Sequence, residues 1–287
     1  MLANAFVALQ YLLPKYWMTA LVYRVARIRN VTVKNFLITR FVKLYGVDVD
    51  EIRQDLPDDF ATFNDFFIRE LKDDARTIDD GKDAIVSPAD GTVSLAGRLN
   101  RDSLLQAKGI EYSLDDLLAT DLEECASYVN GRFATIYLAP YNYHRVHAPF
   151  DAELVAARYV PGDLFSVNDA TAGRVRGLFR RNERLVMHLR TARGPAVLIF
   201  VGALNVGSIS TPWSGEIRPR KAGIVDTIDI SQHSTSVKKG DLLGWFNMGS
   251  TVILLLPDNS GEWRVDLEPG TTLRMGESIG GFPISTE

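Results

Sequence analysis

The sequence has few of the residues from which many functional sites are built. It holds one cysteine, Cys125, which excludes an internal disulfide and any multi-cysteine zinc or iron–sulfur centre. Glu123 and Glu124 precede it, and acidic neighbours raise a thiol pKa, so Cys125 reads as structural. A single cysteine fits a reducing, cytoplasmic-type compartment. No Gly-rich phosphate loop or dinucleotide fingerprint follows any strand-like run. Long apolar stretches are also missing: Pro14 interrupts the first one, leaving Ala5 to Leu13, far too short to span a bilayer. Nor is there a compact positive–apolar–small-residue leader pattern. The first 47 residues contain no Asp or Glu at all.

Those 47 residues carry seven cations: Lys15, Arg24, Arg27, Arg29, Lys34, Arg40 and Lys43. The net charge of the chain is −4, so the segment is +7 and the other 240 residues carry −11. A basic apolar head on an acidic body points to an anionic partner for the head. Leu21, Val22, Val25 and Ala26 recur at helical spacing, with Arg24 and Arg27 near the rim of that face. Tyr11, Tyr16, Trp17 and Tyr23 suit a half-wet headgroup layer. The pattern fits helices lying in a membrane surface, and equally helices packed on their own domain or on a second copy. Nucleic acid fits less well, because the cations are scattered among large aliphatics.

The composition, 46% hydrophobic and 24% charged, is that of a folded globular chain. Phe60–Leu71 and Tyr112–Ala119 read as short helices. Ala84–Ser87, Phe133–Leu138, Leu185–Leu189, Ala196–Val201 and Thr251–Leu256 read as strands, punctuated by Gly, Pro, Asn and Asp. Two internal echoes stand out. Val237–Phe246 resembles Leu273–Phe282 in its Gly–acid–aliphatic–Gly–Phe spacing, and Ser87–Val93 is echoed by Ala148–Val155. Repeated strand–turn–strand units suit a sandwich or barrel with pseudo-symmetric halves, like the barrel-sandwich hybrid of lipoyl and biotinyl carriers. The expected class is therefore α+β: a helical segment over 1–58, then a β-rich catalytic domain over 59–287. A carrier would need a modifiable lysine at a hairpin tip, such as Met-Lys-Met, and the sequence has none.

Three places could carry chemistry. Met248-Gly249-Ser250-Thr251 places a hydroxyl between a glycine and a stiff aliphatic strand, where it can be held while another group approaches the backbone. His144 and His147 share Pro140–Pro149, and the bounding prolines favour a turn in which both rings share a side. A metal would want a third ligand that nothing nearby supplies. His188, in an alternating strand, and His233, in a Ser/Thr-rich loop, read as bystanders. Asp90, in Ser-Pro-Ala-Asp-Gly, is a natural turn acid. Yet Asp90, His147 and Ser250 are also the three parts of a base-activated serine. That combination allows a serine hydrolase acting on external esters, although no Gly-x-Ser-x-Gly elbow is present.

Taken in order along the chain, the motifs resemble the phosphatidylserine decarboxylase family in its bacterial form. They are Thr62–Lys72, Ser87–Gly91, Tyr143–His147, Val160–Phe165, Leu178–Arg184, Val201–Ser208, Lys239–Asp241 and Gly249-Ser250-Thr251. The family's Leu-Gly-Ser-Thr has Met248 in place of Leu here, a near-isosteric change that keeps the reacting pair. The resemblance implies self-cleavage between Gly249 and Ser250, with Asp90 orienting His147 as base. Ser250 Oγ would attack the Gly249 carbonyl, and β-elimination from the resulting ester would leave Ser250 as a pyruvoyl group. That group would form a Schiff base with the serine headgroup of phosphatidylserine, release CO₂ and give phosphatidylethanolamine, with no metal or pyridoxal phosphate. His144 would position the substrate or serve in decarboxylation. The resemblance further implies a heterodimer of residues 1–249 and 250–287, or a dimer of these, peripheral on the cytoplasmic face of the bacterial inner membrane.

Overall fold

The computed structural model describes residues 2–283 except 101–102, 107–109, 120–124, 206, 222 and 259. Glu123 and Glu124, invoked for Cys125, therefore lie outside the described residues, as does Val206 of the Val201–Ser208 motif. Three helices come first: α1 (Leu2–Leu12), α2 (Lys15–Ala26) and α3 (Val31–Tyr45). Pro14 separates the first two, and Asn30 caps α3 by accepting from Val33 N at 3.2 Å. Gly46 ends α3 in the left-handed region at φ 64° and donates to Val42 O. The short helix α4 is Phe63–Phe67, capped by Thr62 Oγ1, which accepts from Asp65 N at 3.1 Å. The second short helix expected, around Tyr112–Ala119, is confined to Leu114–Leu118, with Tyr112 and Ser113 in a strand.

The body is β-rich and antiparallel, as the apolar runs imply. Its largest sheet places Ser250–Leu256 between Gly194–Val201 on one side and Arg132–Leu138 on the other. Every residue of that strand is buried, which explains why its sequence is a continuous aliphatic run and does not alternate. Among the described residues the sheet stays open and forms no closed barrel.

The sequence echoes become a two-fold pairing. Val86 N donates to Pro149 O, and at the equivalent place His147 N donates to Pro88 O. Gly276 N donates to Ser87 O and Gly240 N to Ala148 O; Ser87 N donates to Glu277 O and Ala148 N to Asp241 O. Gly240 and Gly276 hold the same turn at φ 88° and 89°, a left-handed conformation that only glycine adopts without strain.

A second core joins α2 and α3 to the body through Ala26, Ile38, Ile52, Phe60, Phe63 and Phe66. It spans the expected boundary at residue 58. α1 and α2 also dock on the body by polar contacts: Gln10 on Thr171 and Ser166, and Lys15 on Asp163 at 2.7 Å.

Close to that docking line, Glu183 is buried and accepts from Tyr159 Oη at 2.5 Å. Burial pushes its carboxyl up from 4.5 to about 7, against the opposing pull of the Tyr159 bond. The folded chain thus keeps a proton that the unfolded chain releases above about pH 4.5. Stability should fall as pH rises from about 4.5 to 7, by roughly 3 kcal/mol. Chemical denaturation of wild type against Glu183→Gln across that range measures the difference. Parallel pH profiles for the two proteins would refute the assignment.

Candidate active site

Ser250 is the first residue of the central strand, opposite Leu138, and one place short of the pairing with Val201. Its Oγ is buried and has no hydrogen-bond partner among the described residues. A buried hydroxyl without a partner is costly, and such sites occur where a group is kept for chemistry. Gly249 precedes it, packed between the Leu138 carbonyl and the His144 ring. A Cβ there would lie 3.4 Å from Leu138 O and 3.5 Å from His144 Nε2.

His144 is fully buried, with its ring 4.2 Å from that of Phe67. Its Nδ1 lies 2.8 Å from Asn142 O. A carbonyl only accepts, so Nδ1 carries the hydrogen and a neutral ring leaves its lone pair on Nε2. That Nε2 has no partner and faces Gly249. Burial, with the cation of Arg69 adding to it, pushes His144 down to about 3, so the ring is neutral in the uncut chain.

His147 occupies different ground. Arg145–His147 is a strand paired with Leu242–Phe246, so the two histidines do not share one side of a turn, as the flanking prolines had suggested. The prolines bound the segment, but pairing with a strand almost a hundred residues away sets its backbone. Three residues of extended chain separate the two histidines by about 10 Å. His147 Nδ1 donates to Gly240 O at 2.7 Å, and Nε2 accepts from Tyr143 Oη at 3.1 Å. Burial pulls the ring's pKa down; the Gly240 carbonyl and the charges of Asp90 and Asp241 pull it back up.

Asp90 does not bond to His147. Its carboxylate is paired with Arg76, Nε to Oδ1 at 2.9 Å and Nη2 to Oδ2 at 2.5 Å, and also accepts from Met275 N at 2.8 Å. The last bond belongs to the pseudo-symmetry, for Asp151 accepts from Lys239 N in the same way. The expected orienting bond is replaced by a structural clasp, and Asp90 acts on His147 through its charge.

The structure thus assembles two half-sites. His144 stands against Gly249–Ser250, while Asp90 and His147 are held together by the bond from His147 N to Pro88 O. Arg69, Tyr143 and Arg76 complete the surroundings and were not singled out by residue chemistry. Arg69 and Tyr143 lie inside the family-like motifs; nothing in the sequence marks Arg76. His188 lies in the Arg184–Thr191 strand and His233 in an exposed turn, away from both half-sites. No group of three or more potential ligands gathers into a metal centre among the described residues.

A cavity of about 290 Å³ opens beside Gly249, lined by Phe41 and Tyr45 of α3 and by Tyr137, Ser166 and Asn205. It connects the N-terminal helices to the candidate site.

Comparison with known proteins shows the family. The family model described as phosphatidylserine decarboxylase matches residues 63–281, and a second, described as PSD, matches residues 5–46. Relatives named phosphatidylserine decarboxylase proenzyme include one from Alcanivorax borkumensis, 44% identical over 96% of both chains. Another, from Psychrobacter arcticus, is 44% identical over 98% of this chain and all of its own. A third, from Saccharophagus degradans, is 43% identical over 96% of both. The matched stretch includes the central strand, both histidines, Asp90 and the Gly249–Ser250 pair, and the chain belongs to the phosphatidylserine decarboxylase family.

Proposed function

We propose that this chain is a self-cutting precursor that becomes a decarboxylase of phosphatidylserine, with Ser250 as both the nucleophile of the cut and the source of a pyruvoyl group. The observation that carries this reading is the buried Oγ of Ser250, without a partner among the described residues, next to Gly249, where a Cβ would lie 3.5 Å from the lone-pair Nε2 of His144. The relatives' shared designation as proenzymes of a phosphatidylserine decarboxylase supports it.

In the cut, Ser250 Oγ gives up its proton and bonds to the Gly249 carbonyl carbon as the amide C–N bond breaks, leaving an ester and a free amine. Removal of the Ser250 Cα proton then expels Gly249 as a carboxylate. The remaining unsaturated amine tautomerises and loses ammonia to water. The residues fit the group this leaves: position 250 is buried, its oxygen has no competing hydrogen bond, and the strand it heads is held on both sides. When formed, the pyruvoyl carbonyl supplies an electron sink for loss of CO₂ from an amine-bearing substrate, the role that organic cofactors take elsewhere.

The histidines divide the work. Proximity favours His144 for the reacting atoms, whereas the ability to hold a proton favours His147. Burial lowers both rings; the Arg69 cation adds to it at His144, down to about 3, and Arg145 adds to it at His147, where the Gly240 carbonyl and the charges of Asp90 and Asp241 offset part of the fall. We assign His147, with Asp90, to removal of the Ser250 proton, once its ring exchanges the Tyr143 hydroxyl for Ser250. His144 attends the product group at position 250.

The helices supply access to a lipid. Leu12, Trp17 and Leu44 are 84%, 79% and 76% exposed, and Leu21, Val31 and Phe36 also face outward. The cations are less free than the sequence suggests, because Lys15 pairs with Asp163 and Arg27 with Glu216, and Lys34 is buried against Pro57 O. The apolar face therefore contributes more to docking than the +7 charge. No described helix is long and apolar enough to cross a membrane. Peripheral binding to an anionic surface, at the cytoplasmic face of a bacterial inner membrane, follows as part of the proposal. Changing Leu12, Trp17 and Leu44 together to Glu should weaken binding to phosphatidylserine-containing vesicles by at least about a thousandfold. Chain cutting should be unaffected, and vesicle sedimentation equal to that of wild type would refute the docking face.

Intact mass of the purified chain tests the self-cutting itself.

A further inference from the structure

Glu183 is buried close to the reacting strand and has no part in the steps derived so far. Thr251 pairs with Val201, and Val201 in turn with Arg184, which fixes the register of three adjacent strands. One residue further along, the same register brings Ser250, Gly202 and Glu183 into a row. Gly202 is pinned there, its N donating to Glu183 O at 2.9 Å and its O accepting from Asn182 Nδ2 at 2.8 Å. Residues opposite one another in such a row share a face of the sheet. Gly202 contributes no side chain to that face, and Glu183 leans over it: a Cβ at Gly202 would lie 2.6 Å from both Cγ and Oε1 of the glutamate.

The carboxyl is held by one oxygen. Oε2 accepts from Tyr159, which stands on the strand beyond Glu183, away from Ser250. Oε1, the oxygen over Gly202, has no partner among the described residues, and neither has Ser250 Oγ. Opposed Cβ positions in neighbouring antiparallel strands are about 5 Å apart, which puts Oε1 about one strand spacing from Ser250 Cβ. A carboxyl acts across such a gap directly or through one water molecule. Two buried polar atoms without such partners, with only a glycine between them, are costly unless kept for chemistry. Burial keeps the carboxyl protonated up to about pH 7.

We infer that Glu183 is the acid that delivers a proton to Ser250 Cβ after the cut. This rests on the self-cutting reading and fills a step that no residue has so far served. Expulsion of the Gly249 carboxylate leaves a carbon–carbon double bond at position 250, with the amine on Cα. The electron pair of that bond takes the Glu183 proton at Cβ, which becomes a methyl group, while the nitrogen lone pair forms a C=N bond to Cα. Water then adds to Cα. One proton of that water restores the Glu183 carboxyl, the other leaves with the nitrogen as ammonia, and a ketone remains. His144 faces Gly249, and His147 is bonded to Gly240 O and Tyr143 Oη. The carboxyl is thus left as the proton donor on the face that carries the Ser250 side chain.

Full-length chain made by cell-free synthesis and sampled over time tests this. Borohydride added to the native protein reduces a ketone at position 250, and the small fragment then weighs two hydrogens more. The unsaturated amine resists borohydride and yields an unreduced ketone only on denaturation. In wild type the small fragment should be reducible as soon as it appears. In Glu183→Gln, which keeps the shape and the Tyr159 bond, the fragment should appear within about twofold of the wild-type rate but become reducible at least about a hundredfold more slowly. Glu183→Asp should restore part of the loss. Prompt reduction in Glu183→Gln would overturn the inference, as would a fragment whose appearance is slowed as much as its reduction. Should Glu183→Gln not fold, Gly202→Ala is read by the same two criteria, since its Cβ displaces the carboxyl from beside Ser250. A wild-type chain that stays whole would instead overturn the reading on which the inference rests.

Discussion

Ser250→Ala is expected to leave one uncut 287-residue chain with no detectable decarboxylase activity. The substitution removes the nucleophile of the cut and, with it, the atoms from which the carbonyl group would form. Loss of a nucleophile that acts as a unit with its base costs about a millionfold in rate, so cutting should stop on any laboratory timescale. The fold should be unharmed. Ser250 Oγ makes no hydrogen bond among the described residues, so alanine gives up no interaction there and removes a buried polar atom without such a partner. The Tm of the variant should therefore be no lower than that of an uncut wild-type chain. Denaturing electrophoresis and a CO₂-release assay together check both halves. Fragments in the Ser250→Ala protein would show that another residue attacks the bond.

The second large effect separates the histidines. His147→Ala should slow cutting by at least about a thousandfold, whereas His144→Ala should still be cut but should release no CO₂. The argument turns on which ring can hold a proton. His147 has its Nδ1 hydrogen fixed on Gly240 O, which leaves Nε2 as the accepting atom; burial and Arg145 lower its pKa, but the Gly240 carbonyl and the charges of Asp90 and Asp241 offset part of that fall. His144 is buried beside Arg69 and stands at about 3, so it is a poor proton acceptor for a serine hydroxyl before the cut. Its Nε2 faces Gly249, next to the position where the product group would form. The reverse outcome, an uncut His144→Ala and a cut His147→Ala, would move the base to His144. A third variant separates the charge of Asp90 from its clasp: Asp90→Asn should slow cutting even where the Met275 contact survives.

Much of this was legible in the sequence, and what was not has identifiable physical causes. Five aliphatic runs became five strands, because a strand buried on both faces has to be apolar throughout. The two echoes proved to be two halves of one pairing, with matched hydrogen bonds at Val86 and His147 and matched turns at Gly240 and Gly276. Ser250 was visible from its place between Gly249 and a stiff aliphatic strand. The environment of the histidines was not. Local turn signals at Pro140 and Pro149 say nothing about a non-local partner, and that partner, Leu242–Phe246, sets the strand. Asp90 was expected to orient His147 because the family resemblance implies it, and its Ser-Pro-Ala-Asp-Gly motif does not reveal its partner. Arg76, fourteen residues upstream in an irregular segment, claims the carboxylate instead. The N-terminal charge count also overstated the free cations, because composition does not reveal that Lys15 and Arg27 turn inward to acids on the body.

Intact mass of the purified wild-type protein, taken under denaturing conditions, tests the central claim most directly. The account predicts two chains, residues 1–249 and 250–287, the smaller one blocked to N-terminal sequencing and lighter by one ammonia than a simple hydrolytic fragment. A single chain of 31.9 kDa that persists with Ser250 in place would contradict it.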